Sequence, residues 1–276
     1  MNANTGNAGT LKKSYDEQGY VGPLFALSEA ENAKYLAHVE AAEKEHRLMQ
    51  SDYRCKTNVL FPWMDELTRN PHIGDAVEAI LGSNFHCWDT LFWIKYPETD
   101  KLVSWHQDAT YWNFAPKEKA LTVWLCFSGA TEDMGCIRYI PGSHKQGQSH
   151  HSDIHTPENL LMRGQTIEYP DPLGSSVPAE VPAGHFLMHH PHIVHGSLNN
   201  RTKSARIACG MVFVSTQAKP IATYSPESSI MIRGVDHYNH VLHDLAPTGN
   251  FKQDELRWKA AYDRQHDNYY KMTQEA

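Results

Sequence analysis

The order of helix-forming and strand-forming segments most constrains what this chain can fold into. Ser28 and Glu31 form a capping-box pattern, and the residues that follow them repeat apolar side chains at helical spacing. Further helices are predicted over 72–81, where Gly82 ends the pattern, and over 253–272. After Gly82, aromatic and β-branched residues between turn signals predict strands over 84–97, 121–128, 136–140, 179–190 and 206–215. This order predicts a mainly β protein, a barrel or sandwich with helices packed outside it.

The domain organisation is predicted to be simple. Residues 1–13 are poor in hydrophobic side chains and predict a disordered leader. The remaining residues, 14–276, contain no internal repeat and no linker-like segment, which predicts a single domain.

Composition excludes several classes of function. A net charge of −7 argues against a protein that binds the phosphate backbone of a nucleic acid, which needs a basic face. No apolar run approaches the ~20 residues that span a bilayer, so no membrane partner is expected. The N-terminus lacks an apolar signal core, which predicts a cytoplasmic protein. The five cysteines include no C-x-x-C pair, which predicts free thiols and no zinc site.

The segment WHQDATYW, residues 105–112, places an imidazole and a carboxylate two residues apart among aromatic side chains. In a strand, His106 and Asp108 would point to the same face, because side chains alternate with a period of two. They could form a hydrogen-bonded pair that supports the core, or they could be two of the ligands of a metal.

Candidates for a third ligand lie in the histidine-rich stretch over 186–210. The pair His190-x-His192 invites comparison with a cupin metal site, but no glutamate follows it. The alternative is His106, Asp108 and a single distant histidine, His195, which together form a two-His-one-carboxylate triad for Fe(II). Such a triad leaves three coordination positions open, two for a chelating 2-oxo acid and one for O₂.

An arginine that could hold a carboxylate follows the distal histidine in the sequence. Arg206 opens an apolar strand eleven residues after His195. A guanidinium in such a place is costly unless it is paired, and it could hold a distal carboxylate with two parallel hydrogen bonds.

Several motifs in order carry a resemblance to a known family. His106-Gln-Asp108, Thr-Val-Trp124, the GCIRYIPGSH segment over 135–144 and His195-Gly-Ser197 through Arg206 closely resemble the phytanoyl-CoA dioxygenase family. Its members are Fe(II)- and 2-oxoglutarate-dependent oxygenases on a double-stranded β-helix, a jelly-roll or cupin-like core.

This resemblance implies roles for individual residues and implies Fe(II), 2-oxoglutarate and O₂ as cofactors. His106, Asp108 and His195 would bind the iron. Arg206 would bind the C5 carboxylate of 2-oxoglutarate, with Ser197 as a further donor. Two other cosubstrate contacts would be Trp124 and Gln107.

The segment CWDTLFWIKYP, residues 87–97, resembles the branch of the family that includes carrier-protein-dependent aliphatic halogenases. Halogenases replace the ligand carboxylate with Ala or Gly, which frees a position for chloride. This chain keeps Asp108, so the resemblance implies a hydroxylase that acts on a C–H bond of a small polar metabolite, such as an amino acid.

Other outcomes stay open from the sequence. The same cofactors could support desaturation, cyclisation or epimerisation, and the substrate could be bound to CoA or to a carrier protein. A non-catalytic binding protein and a zinc hydrolase are further alternatives. Four aromatic residues near the triad could wall a substrate pocket or belong to an ordinary core: Trp93, Tyr111, Trp112 and Phe114.

Overall fold

The computed structural model of this chain describes residues 8–154, 156–161, 164–169 and 171–274. Within these residues the helices are α1 Ala8–Gln18, α2 Glu29–His46, α3 Thr57–Leu60, α4 Pro62–Thr68, α5 Pro71–Leu81, α6 Pro172–Ser175 and α7 Phe251–Gln274. The longer strands are β1 Tyr20–Phe25, β2 Phe85–Lys95, β3 Val103–His106, β5 Ala120–Cys126, β6 Ile137–Tyr139, β9 Val177–Ala179, β10 His185–His189, β11 His195–Ser197, β12 Arg206–Ser215 and β14 Ser228–Arg233. The two-residue strands are β4 Phe114–Ala115, β7 Ser152–Asp153, β8 Gln165–Thr166, β13 Lys219–Pro220 and β15 Leu242–His243.

The chain divides into two compact units. The first consists of Met1–Leu36, Trp93–Thr110 and Trp124–Ala208, and the second of Ala37–Phe92, Tyr111–Val123 and Cys209–Ala276. The prediction of a single domain over 14–276 stays a prediction.

The longer strands belong to two sheets. A four-stranded sheet with the order β3-β11-β6-β9 lies wholly within the first unit, and its neighbouring strands are antiparallel. A seven-stranded sheet has the order β1-β10-β5-β12-β2-β14-β15. The mainly β fold with flanking helices, predicted from the sequence, is confirmed.

Short sequence motifs correctly predicted one helix start and one helix end. The capping box is formed, because the backbone N–H of Ser28 donates to Glu31 Oε2 over 2.8 Å and the N–H of Glu31 donates to Ser28 Oγ over 3.3 Å. Helix α5 ends at Leu81, and Gly82 follows with a φ of 83° that suits glycine. All five cysteines are buried and free, as predicted.

The prediction of a disordered leader over 1–13 differs from the structure at residues 8–13, which belong to α1. Residues 1–7 lie outside the described part of the chain. Helix α1 is anchored by Tyr15, whose side chain is 3% exposed. Ion pairs between Lys12 and Asp16 and between Lys13 and Glu17, each four residues apart, support the helix further.

Several of the longer strands lie outside the predicted ranges, among them β1, β3, β11 and β14. Strand β1 contains Gly22 and Pro23, which usually argue against a strand, yet it pairs with β10 at one edge of the larger sheet, where proline is tolerated. Strand β11 is only three residues long and gives no periodic signal; β14 was also missed. Within the described residues, no helix is both long and apolar enough to cross a membrane.

Candidate metal centre

Two histidines face each other across paired strands of the first unit. His106 ends β3, and His195 begins β11 directly opposite it in the antiparallel register. Their rings lie 4.2 Å apart between centroids, and both side chains are buried. Strand pairing therefore brings together two residues that are far apart in sequence.

Backbone carbonyls determine which ring nitrogen of each histidine carries the proton. His106 Nδ1 lies 2.8 Å from the carbonyl oxygen of Ser104, and His195 Nδ1 lies 3.0 Å from that of Ile193. A carbonyl only accepts, so both Nδ1 atoms donate, and in the neutral rings both Nε2 atoms keep a lone pair. Metal-binding histidines are held in this way, with the second nitrogen donating to a carbonyl.

Asp108 completes the group, although not in the way that the sequence predicted. Strand β3 ends at His106, and Asp108 opens a short 3-10 turn, so the strand period does not orient its side chain. Its Oδ1 lies 3.4 Å from His106 Nε2 and 3.7 Å from His195 Nε2. Ligand atoms of all three residues lie within 4.8 Å of one another.

The charges of the group suit a divalent cation. Burial alone would raise the pKa of Asp108, but His195, His106 and His189 outweigh it and hold that pKa well below its ordinary value. Burial, with His106 as the next cause, lowers the pKa of His195 well below its ordinary value. The carboxylate is thus ionised and the His195 imidazole neutral, which are the forms that bind a metal. Two imidazole nitrogens and one carboxylate oxygen are the ligand set of an open non-haem iron site.

Arg206 is a buried guanidinium with an incomplete set of partners. It begins β12, its side chain is 1% exposed, and its Nη1 donates to the carbonyl of Gly135 over 2.6 Å. Its Nε has no hydrogen-bond partner among the described residues. The guanidinium lies 5.3 Å from the ring centroid of Trp124, close enough for a cation–π contact. The structure thus brings two of the predicted cosubstrate contacts together.

Lys95 is a second buried basic side chain beside them, and sequence reasoning missed it. The lysine ends β2, its side chain is fully buried, and its Nζ donates to Ser197 Oγ over 2.6 Å and to the Ser197 carbonyl over 3.2 Å. It also donates to the carbonyl of Leu198. Burial and then Arg206 lower the pKa of Lys95 to about 6. A lysine at the end of an apolar strand was the available signal.

The turn next to Arg206 and Lys95 depends on Gly135. Gly135 has a φ of 69°, and a Cβ there would lie 2.2 Å from the carbonyl oxygen of Leu198. Only glycine allows this approach, which places the carbonyl of Gly135 against Arg206 and that of Leu198 against Lys95.

Gln107 is held by backbone groups in this structure, and its predicted contact with the cosubstrate stays a prediction. Its side chain is fully buried, and its Nε2 donates to the carbonyls of Gly147, over 2.8 Å, and His192, over 2.7 Å. Its Oε1 accepts from the backbone N–H of Ser149 over 2.8 Å. These hydrogen bonds fasten the 147–149 segment to the stretch that contains His106 and Asp108.

The predicted aromatic walls belong largely to ordinary cores. Trp112 and Phe114 are buried in an apolar cluster of the second unit that includes Trp88, and Tyr111 packs against the same cluster. Trp93 packs against the apolar cluster of the first unit.

The fold and the site together define a class of protein, a mainly β scaffold with a two-His-one-carboxylate group. The sequence profile of the phytanoyl-CoA dioxygenase family, PhyH, matches residues 15–208. The chain therefore belongs to this family. The family that the sequence motifs indicated is confirmed.

Similar proteins are consistent with this assignment. A phytanoyl-CoA dioxygenase domain-containing protein 1 from Danio rerio is 28% identical over 149 residues, 52% of this chain and 50% of the relative. A probable alpha-ketoglutarate-dependent hypophosphite dioxygenase from Stutzerimonas stutzeri is 27% identical over 184 residues, 64% of this chain and 63% of the relative. The chain thus spans half to just under two thirds of the length of these relatives.

A solved structure shows the same fold over nearly the whole chain. The apo form of ThoJ, described as a non-heme monooxygenase, superposes with a TM-score of 0.86 at 24% identity. The match covers 96% of this chain and 100% of ThoJ. The predicted double-stranded β-helix core is confirmed.

Proposed function

We propose that this protein is an Fe(II)- and 2-oxoglutarate-dependent dioxygenase that hydroxylates a C–H bond of a small polar metabolite. His106, Asp108 and His195 bind the iron. Arg206 and Ser197 bind the C5 carboxylate of 2-oxoglutarate, and Trp124 lines the cosubstrate pocket. With both cofactors bound, the site supplies an oxidation in which substrate C–H, O₂ and 2-oxoglutarate give the alcohol, succinate and CO₂.

This proposal rests on two features of the first unit: the triad of His106, Asp108 and His195, and the buried guanidinium of Arg206, which has no carboxylate partner among the described residues. Arg206 is buried, and the causes of its lowered pKa, which is about 10, include no carboxylate. A buried guanidinium without a counter-ion is costly, and a bound carboxylate removes that cost. A zinc hydrolase would have a use for the triad but none for Arg206.

The chain's own residues prepare the site for the cosubstrate. The two carbonyl-bound histidines present Nε2 atoms with fixed lone pairs, so no ring must reorient when a metal binds. Lys95 Nζ donates to Ser197 Oγ, so the hydroxyl proton of Ser197 is not used in that hydrogen bond and is left to donate elsewhere. Ser197 can then give that proton to a carboxylate.

Hydroxylation rather than halogenation is supported by Asp108. Its Oδ1 faces both ligand histidines and would fill the position that a halide needs. Added chloride is therefore expected to leave no halogen in the product.

A polar substrate is supported by a side chain close to Asp108. Tyr15 is buried and close enough for Asp108 to contribute to the rise in its pKa, after burial and Asp16. A phenol hydroxyl recognises polar or anionic groups better than it recognises an acyl chain.

The first experiment is an anaerobic titration of the apo protein with Fe(II) and then with 2-oxoglutarate. A weak visible charge-transfer absorption is expected when 2-oxoglutarate chelates the iron, because three positions of the triad are open. The Arg206→Met protein should need more 2-oxoglutarate to reach the same absorption. If Fe(II) binds to the wild-type protein and no absorption follows, the site has no room for the chelate and the proposal fails.

A substrate screen tests the finer part of the proposal. Succinate release is followed with small amino and hydroxy acids on one side and acyl-CoA thioesters on the other. Stimulation by a small polar acid, with a product heavier by one oxygen atom, supports the proposal. Stimulation by acyl-CoA alone, or a product of unchanged or lower mass, contradicts it.

A further inference from the structure

We propose that His189 is a positioning residue that limits Asp108 to one ligand oxygen. It would keep Asp108 Oδ1 directed at the metal and hold Oδ2 away from it. This inference rests on the proposed function, because it concerns how the same triad keeps its coordination positions open.

The two oxygens of Asp108 have different neighbours. Oδ1 lies 3.4 Å from His106 Nε2 and 3.7 Å from His195 Nε2. Oδ2 lies 3.0 Å from Nε2 of His189, the last residue of β10. A carboxylate only accepts, so the Nε2 of His189 must carry a proton and donate it to Oδ2.

A second hydrogen bond holds the His189 ring in this orientation. Its Nδ1 lies 2.8 Å from the hydroxyl oxygen of Tyr139, and in the neutral ring that nitrogen accepts from the phenol. Tyr139 is itself stacked on Tyr20, with ring centroids 4.4 Å apart and planes 16° apart. Tyr20 is paired with His189 across β1 and β10. Both nitrogens of a ring that is 2% exposed are thus engaged, and the ring is packed in place.

The chemical consequence concerns the number of open positions. A carboxylate can bind a metal through one oxygen or through two. Were Oδ2 free to turn, Asp108 could take a second position, and the chelate of 2-oxoglutarate would compete with it. The N–H of His189 gives Oδ2 a better partner and preserves that position for the cosubstrate.

The test compares variants that keep or remove the N–H donor. His189→Phe removes the donor but keeps a ring of similar size, whereas His189→Gln keeps an amide N–H that can reach Oδ2. Each protein is loaded anaerobically with saturating Fe(II) and titrated with 2-oxoglutarate, with the charge-transfer absorption as the signal. Fe(II) affinity and melting temperature are measured in parallel, so that a purely structural defect is seen separately.

We expect His189→Phe to need about 10- to 100-fold more 2-oxoglutarate for half-maximal absorption, the usual loss when a partner of a ligand is removed. For His189→Gln, the 2-oxoglutarate concentration at half-maximal absorption should stay within about threefold of that for the wild type. The inference is overturned if the Phe protein binds 2-oxoglutarate as the wild type does, or if the Gln protein loses as much as the Phe protein.

Tyr139→Phe keeps the test decisive should His189→Phe not fold. It removes one hydroxyl and leaves the stacked ring. The 2-oxoglutarate needed for half-maximal absorption should rise several-fold, by less than in His189→Phe, which removes the N–H donor itself. An unchanged Tyr139→Phe protein would then count against the inference. If the wild-type protein itself gives no chelate absorption, the proposed function has failed, and that result is distinct from any difference among the variants.

Discussion

His106 and His195 occupy directly opposed positions on neighbouring antiparallel strands, with ring centroids 4.2 Å apart. Each ring also donates from Nδ1 to the carbonyl of the residue two before it. The paired backbones therefore fix both the separation of the two rings and the nitrogen that each presents.

The first prediction concerns this pair and Asp108. Replacing His195 or Asp108 with Ala should weaken Fe(II) binding by more than about 100-fold, since losing a ligand costs more than losing a ligand's partner. Anaerobic Fe(II) titration and succinate release measure the effect. His185→Ala is the control, because that ring contacts the backbone carbonyl of Ala183 at the start of β10 and is not one of the three proposed ligands. An Asp108→Ala enzyme with full hydroxylation would refute the triad.

The second prediction concerns Arg206. Arg206→Met should raise the KM for 2-oxoglutarate about 10- to 100-fold, because a hydrogen bond to a charged group contributes about 1.5–3 kcal/mol. Steady-state kinetics at varied 2-oxoglutarate measures it. Arg138→Met is a matched control, since Arg138 is a buried arginine of the same unit that already has Ser176 and Glu132 as partners. Equal KM changes in the two variants would contradict the assignment.

The third prediction concerns Lys95 and pH. Its pKa is lowered from 10.5 to about 6 in the folded protein. Between those values the unfolded chain binds more protons than the folded one, so the free energy of unfolding should rise with pH. This contribution is complete above the unfolded pKa and is lost as the pH falls to about 6.

Melting temperatures from pH 6 to 9 measure that slope in the apo protein. Lys95→Met should show a flatter dependence, because methionine keeps most of the buried chain without the titrating amine. The same slope in both proteins would show that another group is responsible.

The fourth prediction separates Gln107 from the cosubstrate. Gln107→Ala leaves two partly buried carbonyls and one N–H without their partner, which should destabilise the protein by about 1–3 kcal/mol. The KM for 2-oxoglutarate should stay close to that of the wild type. Denaturant unfolding and kinetics are the two measurements. A large change in KM with unchanged stability would restore the direct contact that the sequence predicted.

Sequence alone was sufficient where the signal is local or carried by residue type. Local sequence predicted the capping box at Ser28, the glycine after Leu81 and the β-branched strands, because the residues that cause each feature lie within a few positions of it. The ligand types could be predicted too, because two histidines and one carboxylate are the ligand set of an open iron site. The irregular strand β1 and the helical start of α1 were missed, since pairing with β10 and the burial of Tyr15 outweighed weak local preference.

Tertiary structure decided which side chains meet. Lys95 and Ser197 are 102 residues apart, and His189 and Asp108 are 81 apart, so no local pattern links either pair. Their contacts arise only when separate strands come together in the first unit. Gln107 illustrates the same limit. Its neighbours in sequence are proposed metal ligands, whereas its hydrogen-bond partners lie in a loop that is distant in sequence. The sequence by itself determined the ligand types and the fold class; packing determined which buried donors orient those ligands, because a hydrogen bond depends on distance and angle, not on order along the chain.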